Sequence, residues 1–291
     1  AYIRADGKPA FTAEFEHAGE FSEGLAPVVA DGRAGFIDLT GRVVLTFPAT
    51  RTGNFSEGLA AVINGGSVAY VDKTGTVKVP PRYRVFPTGH REWGDFHEGK
   101  VCVLMEGGYG FVDTQGRVVV RGILREPSEF SEGLAMAKTS EGNGYIDATG
   151  DLVISGYEPL GRFSEGLAPV RTSSGVGFID TEGVLQLGGN WQAAGPFDNG
   201  RAWVVTSGKL GFVDKRGAFV VPARYGYSAH IPSAGVFRDG LTWVIEATEE
   251  GQSAYIKASG ALAFPMKFDY ATDFRDGRAY VQIGDDQALI D

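Results

Sequence analysis

Apolar and polar residues alternate along this chain in short runs that glycines separate, and no run shows the 3.6-residue period of a helix. The clearest run follows the phrase FSEGLA, whose first copy begins at Phe21. In the strand that this run predicts, Ala26 and Val28 lie on one side, as the period of two requires. We therefore predict an all-β protein whose core lies against such faces.

The phrase recurs along the whole chain. Exact and weaker copies give eight phenylalanine anchors, at Phe21, Phe55, Phe96, Phe130, Phe163, Phe197, Phe237 and Phe274. The anchors are 34, 41, 34, 33, 34, 40 and 37 residues apart. A constant period of this length indicates a repeat architecture, and we predict one continuous array of eight repeats over residues 1–291, with no domain boundary within it.

Each repeat predicts three strands. The fourth residue of the anchor phrase is always glycine, as at Gly24, which indicates a positive φ. A second strand carries an aromatic residue such as Phe36 and leads into the sequence D-x-x-G, as in Asp38 to Gly41. This sequence predicts a type I turn with a bulge, in which aspartate accepts backbone N–H bonds and glycine takes the left-handed position. A short apolar strand such as Val43 to Leu45 follows.

These units resemble the bacterial WG-repeat family, whose repeats read approximately F-x-E-G-L-A-x-V, then W-G-Y/F-I-D-x-x-G, then a short apolar strand. The resemblance covers essentially the whole chain. It departs at the tryptophan of the family, because the matching positions hold Ala34, Val68, Tyr109, Asn143, Val176 and Leu210. The resemblance implies a scaffold of β repeats and favours a bacterial periplasmic or secreted protein.

Two arrangements of the repeats remain open. The chain starts with a second strand at Tyr2 and stops with another at Leu289, so its two ends are nearly complementary. This favours a closed ring like a β-propeller over an open β-solenoid. Proline cannot donate to a β-ladder, so Pro27 and Pro169 predict that the first strand of a repeat is an edge strand.

Composition and charge exclude several classes of function. The net charge is −9, which argues against binding to nucleic acid. The single cysteine, Cys102, excludes an intrachain disulfide and a thiolate metal cluster. No apolar run approaches the roughly 20 residues of a membrane helix, so we expect no insertion into membranes.

The repeated acidic residues are interpreted as structural. Glu23, Glu57, Glu98, Glu132 and Glu165 recur in nearly every repeat, whereas a catalytic carboxylate needs one special environment. Each D-x-x-G loop offers one acidic residue, too few for calcium, and the four histidines show no zinc spacing. Motifs for nucleotide binding or for a nucleophilic serine are also missing. The sequence therefore predicts no catalytic residue, no metal and no cofactor.

Candidate binding residues are those that break the repeat. Opposite the core face of the first strand, consecutive repeats carry Trp203, Trp243 and Tyr280, with Arg201 and Arg278 beside them where other repeats have leucine. Such an aromatic stripe with a polar rim is typical of surfaces that stack on sugars or anchor peptides. The alternative is that these larger side chains fill space between uneven repeats.

A second group of candidates follows from length. The two longest spacings belong to repeats two and six, and long loops on a rigid scaffold are common binding sites. Their extra residues contribute further candidates: Arg82, Tyr83, His90, Trp93, Arg224, Tyr225 and His230.

The sequence thus predicts a non-enzymatic scaffold that presents an aromatic and arginine-bearing surface to a protein, peptide or glycan. One alternative is a glycoside-processing enzyme with carboxylates gathered at a ring centre. Another is an architectural spacer that binds nothing.

Overall fold

The computed structural model describes residues 2, 9–12, 14–84, 94–228, 236–247, 251–275 and 277–291. These residues form strands and turns and contain no helix, which confirms the all-β prediction. The chain divides into two compact units, residues 1–153 and 154–291. We call the strands that belong to one anchor a module and number the modules 1 to 8 in the order of the anchors.

The first compact unit contains modules 1 to 3 and module 4 as far as Val153. Module 1 consists of β1 (His17–Ala18), β2 (Leu25–Ala30), β3 (Arg33–Asp38) and β4 (Val43–Phe47). Module 2 consists of β5 (Arg51–Ser56), β6 (Leu59–Asn64), β7 (Ser67–Asp72) and β8 (Val77–Arg84), and module 3 of β9 (Lys100–Met105), β10 (Gly108–Asp113) and β11 (Val118–Leu124). Module 4 consists of β12 (Phe130–Ser131), β13 (Leu134–Lys138), β14 (Asn143–Ile146) and β15 (Leu152–Ser155).

The second compact unit contains modules 5 to 8. Module 5 consists of β16 (Glu158–Pro159), β17 (Ala168–Thr172), β18 (Gly175–Ile179) and β19 (Leu185–Trp191), and module 6 of β20 (Ala193–Ala194), β21 (Arg201–Thr206), β22 (Lys209–Asp214) and β23 (Phe219–Gly226). Module 7 contributes β24 (Leu241–Ile245) and β25 (Ser253–Lys257), and module 8 contributes β26 (Tyr270–Ala271), β27 (Ala279–Ile283) and β28 (Asp286–Ile290).

The number of sheets differs from the predicted eight. Among the described residues there are six sheets, because β8 pairs with β9 and β23 pairs with β24. Each junction is a single residue pair, Arg84 with Leu104 and Gly226 with Ile245. Both junctions lie in the two longest repeats, whose last strands are extended enough to reach the next module. Five modules are also four-stranded rather than three-stranded, since a short strand precedes the predicted three.

That extra strand overturns the prediction that the proline-bearing strands are edges. β2 pairs with both β1 and β3, and β17 pairs with both β16 and β18. Pro27 still accepts one ladder hydrogen bond, because Gly19 donates its N–H to the carbonyl of Pro27 at 2.8 Å. Pro27 has no N–H to donate to the carbonyl of Gly19. The carbonyl of Gly19 accepts a hydrogen bond from the Tyr2 hydroxyl at 2.7 Å, which supplies the donor that proline lacks.

The two predicted turns form for the reasons that the sequence gives. Glu23 and Gly24 both have positive φ, at 51° and 87°, and Ser22 and Leu25 exchange backbone hydrogen bonds across them. This two-residue turn matches the right-handed twist of the strands. In the D-x-x-G turn, Gly41 has φ of 83° and donates to the carbonyl of Asp38 at 2.9 Å, which confirms the predicted bulged turn.

Within each compact unit, modules pack face to face against their sequence neighbours. In module 1 the valine face carries Ala26 and Val28, and the aromatic face carries Phe36 on β3. The aromatic face of module 1 contacts Phe55 and Ala60 on the valine face of module 2. The same contact recurs in five further clusters of described residues within the compact units. Within each unit the sheets therefore stack like neighbouring blades of a β-propeller, and the core lies between them.

In four modules the structure shows what replaces the tryptophan that is missing from the second strand. The small residue at that position faces a larger one on the next strand of the same sheet: Ala34 faces Phe47, Val68 faces Tyr83, Val176 faces Trp191, and Leu210 faces Tyr225. In modules 2, 5 and 6 a bulge precedes the larger residue and turns it into the core. The large side chain is thus on the third predicted strand instead of the second, and it fills the same space between modules.

Candidate binding surface

The repeated glutamates hold adjacent modules together. The Glu23 carboxylate accepts the backbone N–H of Gly58 at 3.2 Å, and Glu57 accepts the N–H of Gly99 at 2.7 Å. Glu98, Glu165 and Asp239 repeat the bond to the glycine of the next module at 2.9, 3.0 and 2.8 Å. The structural interpretation of these glutamates is therefore confirmed where the bonds are described. Each carboxylate bonds to the turn of the following module and not to the turn that contains it.

Two lysines strengthen this contact at equivalent places. Lys73 forms an ion pair with the Glu23 carboxylate at 3.0 Å and donates to the Glu23 carbonyl at 3.0 Å. Lys215 does the same at Glu165, at 3.2 and 2.9 Å. Partial burial by itself would raise the pKa of Glu23, but the bonds from Lys73 and Gly58 outweigh it and lower that pKa.

The D-x-x-G aspartates use one carboxylate oxygen on their own turns. Oδ1 of Asp72 accepts the N–H groups of Thr74 and Thr76 at 2.9 and 3.0 Å and the Thr74 hydroxyl at 2.6 Å. The hydroxyl bond is the main reason that the pKa of Asp72 lies far below its ordinary value. Within the described residues, no group of three or more histidine, cysteine or acidic side chains is arranged to hold a metal ion.

Four of the predicted binding residues in the long repeats are joined to the neighbouring module. The Arg82 guanidinium and the Tyr83 hydroxyl both donate to the carbonyl of Gly116. In the second compact unit, Arg224 and Tyr225 donate to the carbonyl of Gly260, at 2.9 and 3.4 Å. Both tyrosines are buried. These contacts clamp the turn glycine of the next module, Gly116 in a D-x-x-G turn and Gly260 in a turn that begins with Lys257, a structural task that accounts for the four residues without a ligand. His90, Trp93 and His230 lie outside the described residues.

The predicted aromatic stripe is not one exposed surface. Trp243 is 5% exposed, and its indole N–H donates to Oδ1 of Asp273 at 3.0 Å. Partial burial raises the pKa of Asp273. The three residues do not form one surface because Trp243 lies on the aromatic face of its sheet, which module 8 covers. Cys102 lies on the aromatic face of its own sheet, and its burial raises the pKa of its thiol to about 12, so it packs as a small apolar residue.

Trp203 remains partly exposed and has an aromatic partner that the sequence prediction missed. The rings of Trp203 and Tyr227 lie 5.8 Å apart with an interplanar angle of 34°, and Tyr227 is 37% exposed. The indole lies against Gly195, where any Cβ would collide with it. The Arg201 guanidinium lies 5.9 Å from the centre of the Phe237 ring. We call Arg201, Trp203 and Tyr227 the Trp203 patch.

A signal for this arrangement was present in the sequence. In the first strand of a repeat, one residue lies on the side opposite the core valines, and a glycine can precede it by eight positions. Gly195 precedes Trp203 in this way, and Gly19 precedes Pro27. A Cβ on Gly19 or Gly161 would lie 2.6 or 2.9 Å from the ring of the matching proline. Tyr227 directly follows β23, which is extended in the long repeat six. The length of that repeat was the feature of the sequence that could have indicated Tyr227.

Tyr280 and Arg278 lie apart from this patch, in module 8. Tyr280 is half-buried, and its ring lies 6.2 Å from that of Tyr270. Arg278 exchanges backbone hydrogen bonds with Arg275 across the turn that begins β27. The predicted site residues therefore separate into the Trp203 patch, the buried Trp243, the two arginine and tyrosine clamps, and a pair in module 8.

Glycine-punctuated meanders that repeat at a fixed spacing and pack face to face define an all-β repeat protein with propeller-like modules. The family described as WG containing repeat matches residues 1–33, 35–66, 109–141, 144–173, 177–209 and 254–285, which is more than half of the chain. The chain belongs to this family, and the recognition made from its repeated phrases is confirmed.

Three of the solved structures that resemble the chain are distant in sequence. PorZ, a surface component of the type-IX secretion system of Porphyromonas gingivalis, is 14% identical, with 92% of this chain and 41% of PorZ covered and a TM-score of 0.33. The dihydro-heme d1 dehydrogenase NirN is 13% identical, with 87% and 66% covered and a TM-score of 0.48. AztD from Citrobacter koseri is 14% identical, with 92% and 87% covered and a TM-score of 0.45.

These likenesses carry no argument about what the chain does. The chain spans 41% and 66% of the first two of these proteins. No curated protein sequence matches it. In the described part of the chain, there is no helix of the length and apolarity needed to cross a bilayer.

Proposed function

We propose that this protein is a non-enzymatic binding scaffold and that a protein, peptide or glycan partner contacts the Trp203 patch. The observation that carries the proposal is the position of Trp203 and Tyr227, a partly exposed aromatic pair at places where the repeat is broken. Aromatic rings with a neighbouring arginine contribute most to binding at many interfaces. The patch therefore has the chemistry of a recognition surface.

The hydrogen bonds of the repeated acidic side chains support the same proposal. The turn glutamates accept N–H groups of the next module, and the D-x-x-G aspartates accept N–H groups of their own turn. Groups consumed in this way are poor candidates for acid–base chemistry. The pKa of Asp273 is raised, as a general acid requires, but its carboxylate is bonded to Trp243 rather than paired with a second carboxylate.

The test is a binding experiment with matched surface variants. Immobilised glycan and peptide libraries are probed with the full chain, and the ligand with the strongest signal is titrated against the protein and its variants. We expect Tyr227→Ser to weaken that ligand about tenfold or more, which corresponds to about 1.4 kcal/mol. Phe219→Ser changes an exposed aromatic residue outside the patch and should leave affinity within about twofold.

Three results would contradict the proposal. If no ligand binds above background, the chain is an architectural spacer. If Tyr227→Ser and Phe219→Ser bind equally well, the partner does not use the Trp203 patch. If the protein hydrolyses chromogenic glycosides, and Asp273→Asn abolishes this activity, the protein is an enzyme.

A further inference from the structure

Three asparagines of this chain are followed directly by glycine: Asn64, Asn143 and Asn199. In such a pair the backbone nitrogen of the glycine can attack Cγ of the asparagine. Glycine favours this reaction because it has no side chain to hinder the approach and because its backbone rotates freely. The three pairs are chemically identical, so a difference in their reactivity must come from the fold.

The first pair lies in an open turn. Asn64 is the exposed last residue of β6, and Gly65 and Gly66 form the turn to β7 with φ of 56° and 82°. Among the described residues, no acceptor binds the N–H of Gly65. Two consecutive glycines also give this turn more conformational freedom than other residues would. The nitrogen that attacks Asn64 is therefore free to react.

The other two glycines are held in place. Gly144 is a buried residue of β14 and is paired with Ala137 on β13. The N–H of Gly200 donates to both oxygens of the Glu165 carboxylate, at 3.2 and 3.0 Å. The ion pair of Lys215 with that carboxylate, at 3.2 Å, fixes the acceptor in turn. Hydrogen bonds to charged groups are the stronger kind, so the nitrogen of Gly200 is seldom free.

We propose that Asn64 is a site of spontaneous deamidation and that the fold protects Asn143 and Asn199 from the same reaction. The nitrogen of Gly65 gives its proton to the solvent and bonds to Cγ of Asn64. The bond from Cγ to Nδ2 breaks, and the amide group takes up a proton and leaves as ammonia, so a succinimide ring remains. Water then opens the ring. Hydrolysis between Cγ and the nitrogen gives aspartate, and hydrolysis at the backbone carbonyl gives isoaspartate.

The reaction changes a contact at the start of module 2. Nδ2 of Asn64 donates to the carbonyl of Pro48, which follows β4, at 2.9 Å. A carboxylate has no hydrogen to donate, so this bond is lost when the amide is converted. The inference does not depend on the Trp203 patch, because it concerns the chemistry of the chain itself.

Mass spectrometry of the aged protein measures the three reactions together. The full chain is incubated in mildly alkaline buffer and digested with trypsin, which places the three asparagines in separate peptides, residues 52–73, 139–162 and 172–201. We expect Asn64 to be converted at least about tenfold faster than either of the others, which corresponds to about 1.4 kcal/mol. The rate should rise with pH, since the attacking nitrogen must lose its proton.

Unfolded protein is the first control. In concentrated guanidinium chloride the turns and ladders are lost, so the three asparagines should be converted at similar rates. Equal rates in the folded protein, or faster conversion of Asn143 or Asn199 than of Asn64, would overturn the proposal. A difference that persists in guanidinium chloride would overturn it as well, because the difference would then come from the local sequence.

Matched variants test the protection of Asn199. Glu165→Ala removes the acceptor of the Gly200 N–H and should raise the rate at Asn199 severalfold. Glu57→Ala removes the equivalent bond to Gly99 and should leave the rate at Asn199 unchanged. If Glu165→Ala does not fold, Glu165→Gln serves instead, because it keeps an acceptor but loses the charge. Equal rates at Asn199 in the Glu165 and Glu57 variants would show that the carboxylate gives no protection and would overturn that part of the proposal.

Discussion

At the scale of single residues, the turn glutamates perform two tasks. Glu23, Glu57, Glu98, Glu132 and Glu165 all have φ between 51° and 55°, a region that costs a residue with a Cβ about 1–2 kcal/mol. Where it is described, the bond from the carboxylate to the N–H of the next module offsets this cost, because hydrogen bonds to charged groups are the stronger kind. Glycine in this place would relieve the backbone but would remove the bond.

The pKa of Glu23 gives a test of this bond. Because its pKa is lowered from 4.5 in the folded protein, its contribution to stability is complete above about pH 4.5 and is lost as the pH falls below that value. Glu23→Gln keeps an acceptor for Gly58 but loses the ion pair with Lys73. We expect it to lower the free energy of unfolding by about 0.5–1 kcal/mol at pH 7, with a difference from the parent that shrinks in acid.

Urea unfolding at a series of pH values measures that difference. The control is Glu141→Gln, which changes an exposed glutamate in a turn of module 4 and should follow the parent protein at each pH. A constant difference between Glu23→Gln and the parent down to pH 3 would show that the charge of Glu23 contributes nothing.

At the scale of strands, the bulk of each sheet is shared between two neighbouring strands. Val176 on β18 faces Trp191 on β19, so a residue smaller than the tryptophan of the family is matched by a larger one across the ladder. Trp191 contacts the ring of Phe178 with centres 5.8 Å apart, in the core between modules 5 and 6. The position of the large side chain is therefore exchangeable, provided that the space stays filled.

Exchanging the two residues tests this compensation. Trp191→Val leaves a cavity and should lower the free energy of unfolding by about 2–4 kcal/mol, and Val176→Trp alone overpacks the core and should cost about 1–3 kcal/mol. The double variant restores the total volume, so we expect it to be more stable than the sum of the two losses predicts by at least about 1 kcal/mol. Additive losses in urea unfolding would show that the two positions do not share one space.

At the scale of the whole molecule, each module depends on its sequence neighbours in the same compact unit. The cores lie between consecutive modules, and the glutamate bonds and the arginine and tyrosine clamps also join one module to the next. Stability in such an array is a sum of module terms and nearest-neighbour terms. The energetic effect of a core substitution should therefore depend on whether the next module is also changed.

Double substitutions of buried phenylalanines measure this dependence. Phe36 and Phe55 are in contact across modules 1 and 2, whereas Phe111 lies in module 3 and packs on Phe130. We expect Phe36→Leu with Phe55→Leu to show a coupling energy of at least about 0.5 kcal/mol, and Phe36→Leu with Phe111→Leu to be additive within about 0.5 kcal/mol. Equal coupling in both pairs would contradict nearest-neighbour stability.

Much of the local structure could be predicted because it depends on residues that are near one another in the chain. The glycines of the anchor phrase, the D-x-x-G turns and the two-residue period of the strands each follow from backbone conformation and local hydrogen bonds. The same argument identified the glutamates as structural. It could not show that Glu23 bonds to Gly58, since the acceptor and donor meet only when two modules pack.

The binding site was harder to predict because burial of its residues depends on how the modules pack against each other. Alternation along the first strand correctly separated Trp203, Trp243 and Tyr280 from the core valines, but the sequence does not show that a second module covers the opposite face. Burial of Trp243 depends on the module that packs against its face of the sheet. The exposed pairing of Trp203 with Tyr227 depends likewise on where the extended β23 ends.

The sequence by itself determined that this chain is an array of short strands joined by glycine turns, because those preferences act within a few residues. Tertiary structure alone decided which side chains are buried, which polar groups are shared between modules and which aromatic residues remain accessible. These features depend on contacts between different modules, as in the packing of Phe36 on Phe55 and the bond from Trp243 to Asp273, and periodicity within one repeat carries no information about them.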